Sequence, residues 1–236
     1  MNKLLLIVFI IPFLSSCKGK TAFVYSDKKD TGHYTIKEYY ESGQLSFSGS
    51  VENAMFIGKK ISYYENGQAE EVDSLYKPCE LNFCCCDGWV KKYSPNGRLS
   101  NSYENKNGVP SGLVTFFSDN SGLRDVTYQY SNGKKNGQST SYYPSGNVYA
   151  KGNYRNDTLV GYQYFFKENG DSLKYRNTFN GKFDFPYKKW LDNGQILMGY
   201  YSKKYGEVTY VWQDNSGNEI KRKVEKLKGK NWVMPD

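Results

Sequence analysis

The stretch Lys134-Lys135-Asn136-Gly137-Gln138-Ser139-Thr140-Ser141-Tyr142-Tyr143-Pro144-Ser145-Gly146-Asn147-Val148-Tyr149-Ala150-Lys151-Gly152-Asn153-Tyr154 decides the fold. Asn-Gly and Ser-Gly supply positive φ at low steric cost, which tight hairpin turns require. Lys134 to Gly137 therefore reads as a turn and Gln138 to Tyr143 as a strand. Pro144-Ser145-Gly146 reverses the chain, and Asn147 to Tyr154 returns it. Strands of this length pair antiparallel with their sequence neighbours.

The same pattern recurs outward in both directions. An aromatic residue or pair, then a polar turn ending in glycine, occurs at Tyr39-Tyr40 before Gly43, Tyr63-Tyr64 before Gly67, and Tyr93 before Gly97. It continues at Phe116-Phe117 before Gly122, Tyr142-Tyr143 before Gly146, Phe165-Phe166 before Gly170, Trp190 before Gly194 and Trp212 before Gly217. The glycine spacings are 24, 30, 25, 24, 24, 24 and 23 residues, a regularity that marks a repeat array. A second glycine precedes most aromatics (Gly58, Gly88, Gly112, Gly137, Gly161, Gly206), so each copy reads as turn, strand, turn, strand. Two irregularities stand out: an insertion at residues 77–87, and Phe183-Asp184-Phe185-Pro186 where a glycine is expected. The proline predicts a bulge or a break in the ladder, since it has no N–H to donate.

Tyr63-Tyr64-Glu65-Asn66-Gly67-Gln68, Asn136-Gly137 with Tyr142-Tyr143, and Phe165-Phe166-Lys167-Glu168-Asn169-Gly170 resemble the bacterial variant of the MORN repeat. The resemblance spans residues 34–220, although the copies at Gly88 and Pro186 depart from the motif. It implies an all-β, elongated single-layer antiparallel sheet of about eight hairpins, roughly 16 strands. Proteins carrying this repeat are often labelled antitoxin components, so the resemblance also implies an immunity-like role as an alternative.

The chain opens with Lys3, an apolar run from Leu4 to Leu14, and Ser15-Ser16-Cys17. A basic start, a short apolar core and small residues before the cut read as a secretion signal over residues 1–16, too short for a comfortable membrane span. Leu14-Ser15-Ser16-Cys17 resembles the bacterial lipobox, which implies acylation of Cys17. The several hydrocarbon chains attached there, palmitate among them, would provide the anchorage that a single chain does not. Lys18 after the anchor, in place of Asp, favours an outer membrane, facing either the periplasm or the outside. Residues 17–33 read as the lipidated cysteine and a tether, and residues 221–236 as a basic cap or tail. Residues 221–230 hold six basic side chains and one acid, Glu225; an exported chain makes nucleic acid an implausible partner.

The full chain is rich in aromatics, with 23 Tyr and 13 Phe beside 23 Gly and a mean hydropathy of −0.74. Side chains alternate along a strand, so only one ring of each adjacent pair points to a given face. Stacked rings hold such a sheet together. Part of the stripe is also a candidate binding face, with Tyr142, Tyr143, Phe165, Phe166, Trp190 and Trp212 as its densest run. The expected partners are a membrane through the lipid anchor and an envelope protein, with a glycan as the alternative ligand.

Cys79, Cys84, Cys85 and Cys86 fall inside the insertion and read as a disulfide cluster. Vicinal pairing is geometrically poor, so one bond, from Cys79 to Cys85 or Cys86, is expected. Four thiols could alternatively bind zinc or copper, but this spacing lacks the usual paired arrangement, and no metal or cofactor is expected. His33 is the sole histidine and no nucleophile turn accompanies it. Glu65, Asp119, Asp192 and Asp214 fall in or beside turns at similar repeat phase, where turn chemistry accounts for them. No catalytic residue is assigned, and the expected role is binding or scaffolding.

Overall fold

The computed structural model describes residues 25–26, 32–81, 86–179, 182–202 and 205–226; Cys17, most of the tether, Cys84, Cys85 and residues 227–236 lie outside them. The chain divides into two compact units, residues 1–123 and 124–236. All regular structure among the described residues is antiparallel β-strand.

The first unit contains β1 (Tyr25–Ser26), β2 (His33–Tyr39), β3 (Leu45–Glu52), β4 (Met55–Tyr63), β5 (Ala69–Leu75), β6 (Cys79–Glu80), β7 (Gly88–Tyr93), β8 (Leu99–Lys106) and β9 (Val109–Phe117). They pair in chain order, except that β5 pairs with β7 and the short β6 lies beside the start of β4. The second unit contains β10 (Arg124–Ser131), β11 (Lys134–Tyr142), β12 (Val148–Arg155), β13 (Thr158–Phe166), β14 (Ser172–Phe179), β15 (Lys182–Trp190), β16 (Ile196–Ser202), β17 (Glu207–Gln213) and β18 (Glu219–Lys226), each paired with the next. Sixteen of these strands have six or more residues, the number expected from eight hairpins. Each unit is a single layer, and its first and last described strands do not pair with each other, so neither closes into a barrel.

The repeat glycines close one kind of turn. In seven copies the residue after the strand accepts a hydrogen bond from the glycine N–H three positions on and donates its own N–H to the next residue's carbonyl; Tyr40, Gly43 and Gln44 form one such set, at 2.9 and 2.8 Å. Type I geometry followed by a left-handed glycine makes a three-residue hairpin loop. The turn from Ser118 to Leu123 is one residue longer, which accounts for the spacing of 25.

Of the second set of glycines, Gly206 closes a turn, donating its N–H to Ser202 O at 2.9 Å, but Gly58, Gly112, Gly137 and Gly161 do not. Reversal happens one turn earlier, at Asn53-Ala54, Asn107-Gly108, Asn132-Gly133 and Asn156-Asp157, where both residues have positive φ as a type I′ turn demands. Strand β11 accordingly starts at Lys134, and Gly137 lies inside it. Gly58, Gly112 and Gly161 likewise lie within strands, where the ladder skips residues: in β3–β4, Gly49 pairs with Lys60 and Ser50 with Ile57. Gly58, at φ 64°, sits in the skipped segment as a bulge. The seventh copy has a bulge at the same place without glycine. Arg176 pairs with Tyr187 and Asn177 with Asp184, leaving Phe185 and Pro186 unmatched, the defect that proline predicts.

The insertion replaces one of the tight turns. Tyr76 N–H donates to Asp87 O at 3.1 Å, closing its base. Within it, β6 pairs Glu80 with Met55 and Cys79 with Phe56, covering a stretch of β4 that β5 does not reach. At the far end, β18 takes in residues 221–226, which the sequence assigns to a cap or tail.

A flat single layer cannot bury a side chain completely, yet Val51 and Val208 are fully buried. Bulges bend and twist the strands that carry them, which lets a face curve over its own side chains. Register places Val51, Phe56, Lys60, Asp73 and Val90 on one face of the first unit. Gly49 leaves room there, since a Cβ would stand 2.7 Å from the Phe56 ring, which packs edge-on against Phe47. In the second unit Tyr187, Leu197, Val208 and Tyr210 form the core, flanked by Leu191 and Trp212. Burial, with Tyr210 beside it, pushes the Tyr187 phenol up to about 12.

Candidate binding surface

The second ring of each tyrosine pair has a repeat-to-repeat duty. Tyr40 donates its hydroxyl to the Tyr63 carbonyl at 2.5 Å, Tyr64 to that of Tyr93 at 2.7 Å, and Tyr143 to that of Phe166 at 2.7 Å. Tyr143 also packs edge-on against Tyr149. Turn side chains add to the lacing. Asn66 donates to Pro95 O at 2.7 Å, Asn147 to Glu168 O at 2.9 Å, Arg98 to the carbonyls of Asp119 and Asn120, and Lys167 to Asp192 at 2.7 Å. The Lys167 ammonium holds the Asp192 carboxyl below the usual range, and Asn218 does the same for Asp214. These turn acids serve local geometry. His33 Nε2 lies 2.8 Å from Glu52 Oε1 at the end of β2.

The six aromatics singled out in the sequence are not one surface. Phe165 pairs across the ladder with Lys174, which faces Lys189; Lys189 pairs with Leu197 and Leu197 with Trp212, so Phe165 and Trp212 share a face. Trp190 is one residue beyond Lys189 and points the other way. Tyr142 ends β11 with the Arg124 guanidinium 4.9 Å above its ring. Phe166 ends β13 beside the Tyr143 hydroxyl.

The Trp190 face carries rings that the repeat pattern does not single out. Tyr164 pairs with Tyr175 and Tyr175 with Lys188, so Tyr162, Tyr164, Tyr175, Lys188 and Trp190 face one way, with Tyr200 in the same phase on β16. Tyr162, Tyr164 and Tyr200 are 42, 47 and 43 % exposed. Tyr162 and Tyr175 stack edge-on at 5.6 Å, Tyr175 meets Trp190 at 6.2 Å, and the Lys188 ammonium lies 4.6 Å over the indole. The alternation Tyr162-x-Tyr164 is visible in the sequence, but its phase relative to Tyr175 and Trp190 depends on bulges that reset the register.

Charge is unevenly divided. Residues 1–123 contain 13 Lys and Arg against 13 Asp and Glu, whereas residues 124–236 contain 19 against 11, so the entire excess of +8 belongs to the second unit.

In the first unit Cys79 and Cys86 form the expected disulfide, with Cα atoms 5.8 Å apart. Lys60 Nζ lies 3.6 Å from Cys86 Sγ and 3.3 Å from Asp73 Oδ2, all three groups buried. Desolvation raises the Asp73 carboxyl, and Lys60 opposes that rise. Among the described residues no cluster of three or more His, Cys, Asp or Glu side chains could hold a metal ion, and no helix is long and apolar enough to cross a membrane.

Compared with known proteins, the chain matches no family model and no curated sequence.

Proposed function

We propose that this chain is a non-enzymatic binding or scaffolding lipoprotein of the bacterial envelope, held to a membrane through acylated Cys17 and docking a partner protein on its repeat sheet. The MORN-like reading of the repeats belongs to this proposal, and the outer membrane is the preferred address. The observation that carries the docking role is the band on the second unit, where Tyr162, Tyr164 and Tyr200 stay exposed beside Tyr175 and Trp190. Adjacent exposed rings keep apolar area in water, and such area is typical of contact surfaces. The binding face is thus moved from the paired aromatics, whose second tyrosines lace the repeats, to the rings left over. The anchor rests on Leu14-Ser15-Ser16-Cys17.

Two linked measurements test this. Radiolabelled palmitate fed to cells should label the wild-type protein, and Cys17→Ser should lose both the label and the membrane fraction. Chemical crosslinking in the same cells should yield one stoichiometric protein adduct, lost when Tyr162, Tyr164 and Tyr200 are together replaced by Ser. An unlabelled wild-type chain would remove the anchor. An adduct unaffected by the triple variant would remove this face, and glycan-dependent quenching of Trp190 fluorescence with no protein adduct would replace a protein partner with a saccharide.

A further inference from the structure

On the opposite face of the second unit, three cations share one face of adjacent strands. Lys174 on β14 pairs directly with Lys189 on β15, and Arg176 lies two residues along the same face. Lys174 Nζ stands 4.9 Å, and the Arg176 guanidinium 5.1 Å, from the centroid of the Phe165 ring. Among the described residues no carboxylate pairs with Lys174 or Arg176. Lys189 acts at a distance on Asp192, but that carboxylate is already bound by Lys167 at 2.7 Å. Like charges directly opposite on a sheet are destabilising. Burial, then Arg176 and Lys189, hold the Lys174 ammonium below its usual range, so the arrangement is under electrostatic stress.

Two further features make this a shaped site. Arg176 Nε donates to Gln163 Oε1, and Gln163 is itself 8 % exposed, so a buried side chain holds the guanidinium in place. Beside it lies a cleft of about 150 Å³ whose wall includes Ser139, Ser141, Gln163, Phe165 and Arg176. A guanidinium held in place by a buried partner, two ammonium groups and adjacent hydroxyls are the donors that a multiply charged oxyanion takes up.

We infer that Lys174 and Arg176 over Phe165, with Lys189 across the ladder from Lys174 and the adjoining cleft beside Arg176, form a binding site for a phosphate group. The site goes beyond the docking role and depends on neither the Cys17 anchor nor the aromatic band. Its ligand chemistry is common to free phosphate, a phosphorylated sugar and a phospholipid headgroup, and the probes below separate those sources.

The test is titration calorimetry of the full chain with inorganic phosphate, with glucose 6-phosphate against glucose, and with phosphatidylglycerol against phosphatidylcholine vesicles. The phosphate-bearing probes should bind, and glucose and phosphatidylcholine should not. Replacing Lys174 and Arg176 together by Gln should weaken phosphate binding by about tenfold or more, the size expected for charge-assisted hydrogen bonds. Lys174→Gln alone should melt at the same or a higher temperature without ligand, because it relieves repulsion and leaves the Arg176–Gln163 hydrogen bond in place, and it should still bind phosphate more weakly than wild type; a folding defect is thereby distinguished from loss of the site. Lys91→Gln in the first unit is the control and should bind as wild type does. Equal phosphate affinity in wild type and double variant, or no binding by any phosphate probe, overturns the proposal. A preference for glucose 6-phosphate or for the anionic vesicle names the source.

Discussion

Tyr143 illustrates how a residue's type can be legible while its job is not. Its place in an aromatic pair marks it as special, and both packing and binding are chemically reasonable for an amphipathic ring. What decides is the hydroxyl, 2.7 Å from the Phe166 carbonyl one repeat away. That bond joins residues 23 apart and cannot be read from a local pattern. Tyr143→Phe keeps the ring against Tyr149 and removes only the donor, leaving a partly buried carbonyl short of one partner. Urea unfolding should show a loss of about 1 kcal/mol, the net value of such a bond. Tyr162→Phe, at an exposed ring with no such bond among the described residues, should change stability by less than about 0.5 kcal/mol. If the two variants unfold alike, the hydroxyl ladder contributes nothing and Tyr143 returns to the pool of binding candidates.

Among the elements, the repeat period is legible because the three-residue turns require glycine at a fixed place. The phase of the second turn is misread because Gly137 looks like the end of an Asn-Gly turn, whereas Asn132-Gly133 upstream forms one and Gly137 bulges. Two Asn-Gly pairs in succession offer the same local chemistry, and only cross-strand pairing chooses between them. The insertion is legible as an interruption and as a disulfide. Its buried chemistry is not, because Lys60, Asp73 and Cys86 converge from three different elements. Asp73 Oδ1 has no hydrogen-bond partner among the described residues, so Lys60 is the main support for this buried carboxylate. Lys60→Met should destabilise the chain at pH 7 by about 3–5 kcal/mol, the usual result of stripping one partner from a buried pair. The pH dependence follows from the raised Asp73 carboxyl. A folded state that holds a proton more tightly than the unfolded chain gains stability at low pH, and loses it as pH rises from the ordinary carboxylate range through the raised folded value. Removing Lys60 raises that folded value further. The deficit of the variant, measured by urea unfolding, should therefore be small near pH 4 and large near pH 7. An equal deficit at both would mean that Asp73 is not ionised against Lys60 in the folded protein.

At the level of the whole molecule, hairpin architecture is legible because every repeat carries the same signal, and errors in single copies average out. The division into two units is not, since the periodicity runs through it without a break. Net charge hides the division as well: +8 describes neither a neutral first unit nor a second unit that carries all of the excess. Self-repulsion opposes compactness where like charge accumulates, and dissolved salt screens it over roughly 10 Å at 0.1 M. The two units should then answer differently to ionic strength. Hydrogen exchange read peptide by peptide, at about 0.05 M and about 0.5 M sodium chloride, should slow by a few-fold in strands β13–β18 as salt is added, because screening stabilises that sheet. Strands β2–β5, in a unit of balanced charge, should exchange at nearly the same rate in both. Slowing in both units alike would point to a general salting effect on apolar burial. Faster exchange in the second unit would mean that its cations are already compensated, with Lys188 over Trp190 and Lys221 over Trp212 contributing more attraction than the lysines lose to one another.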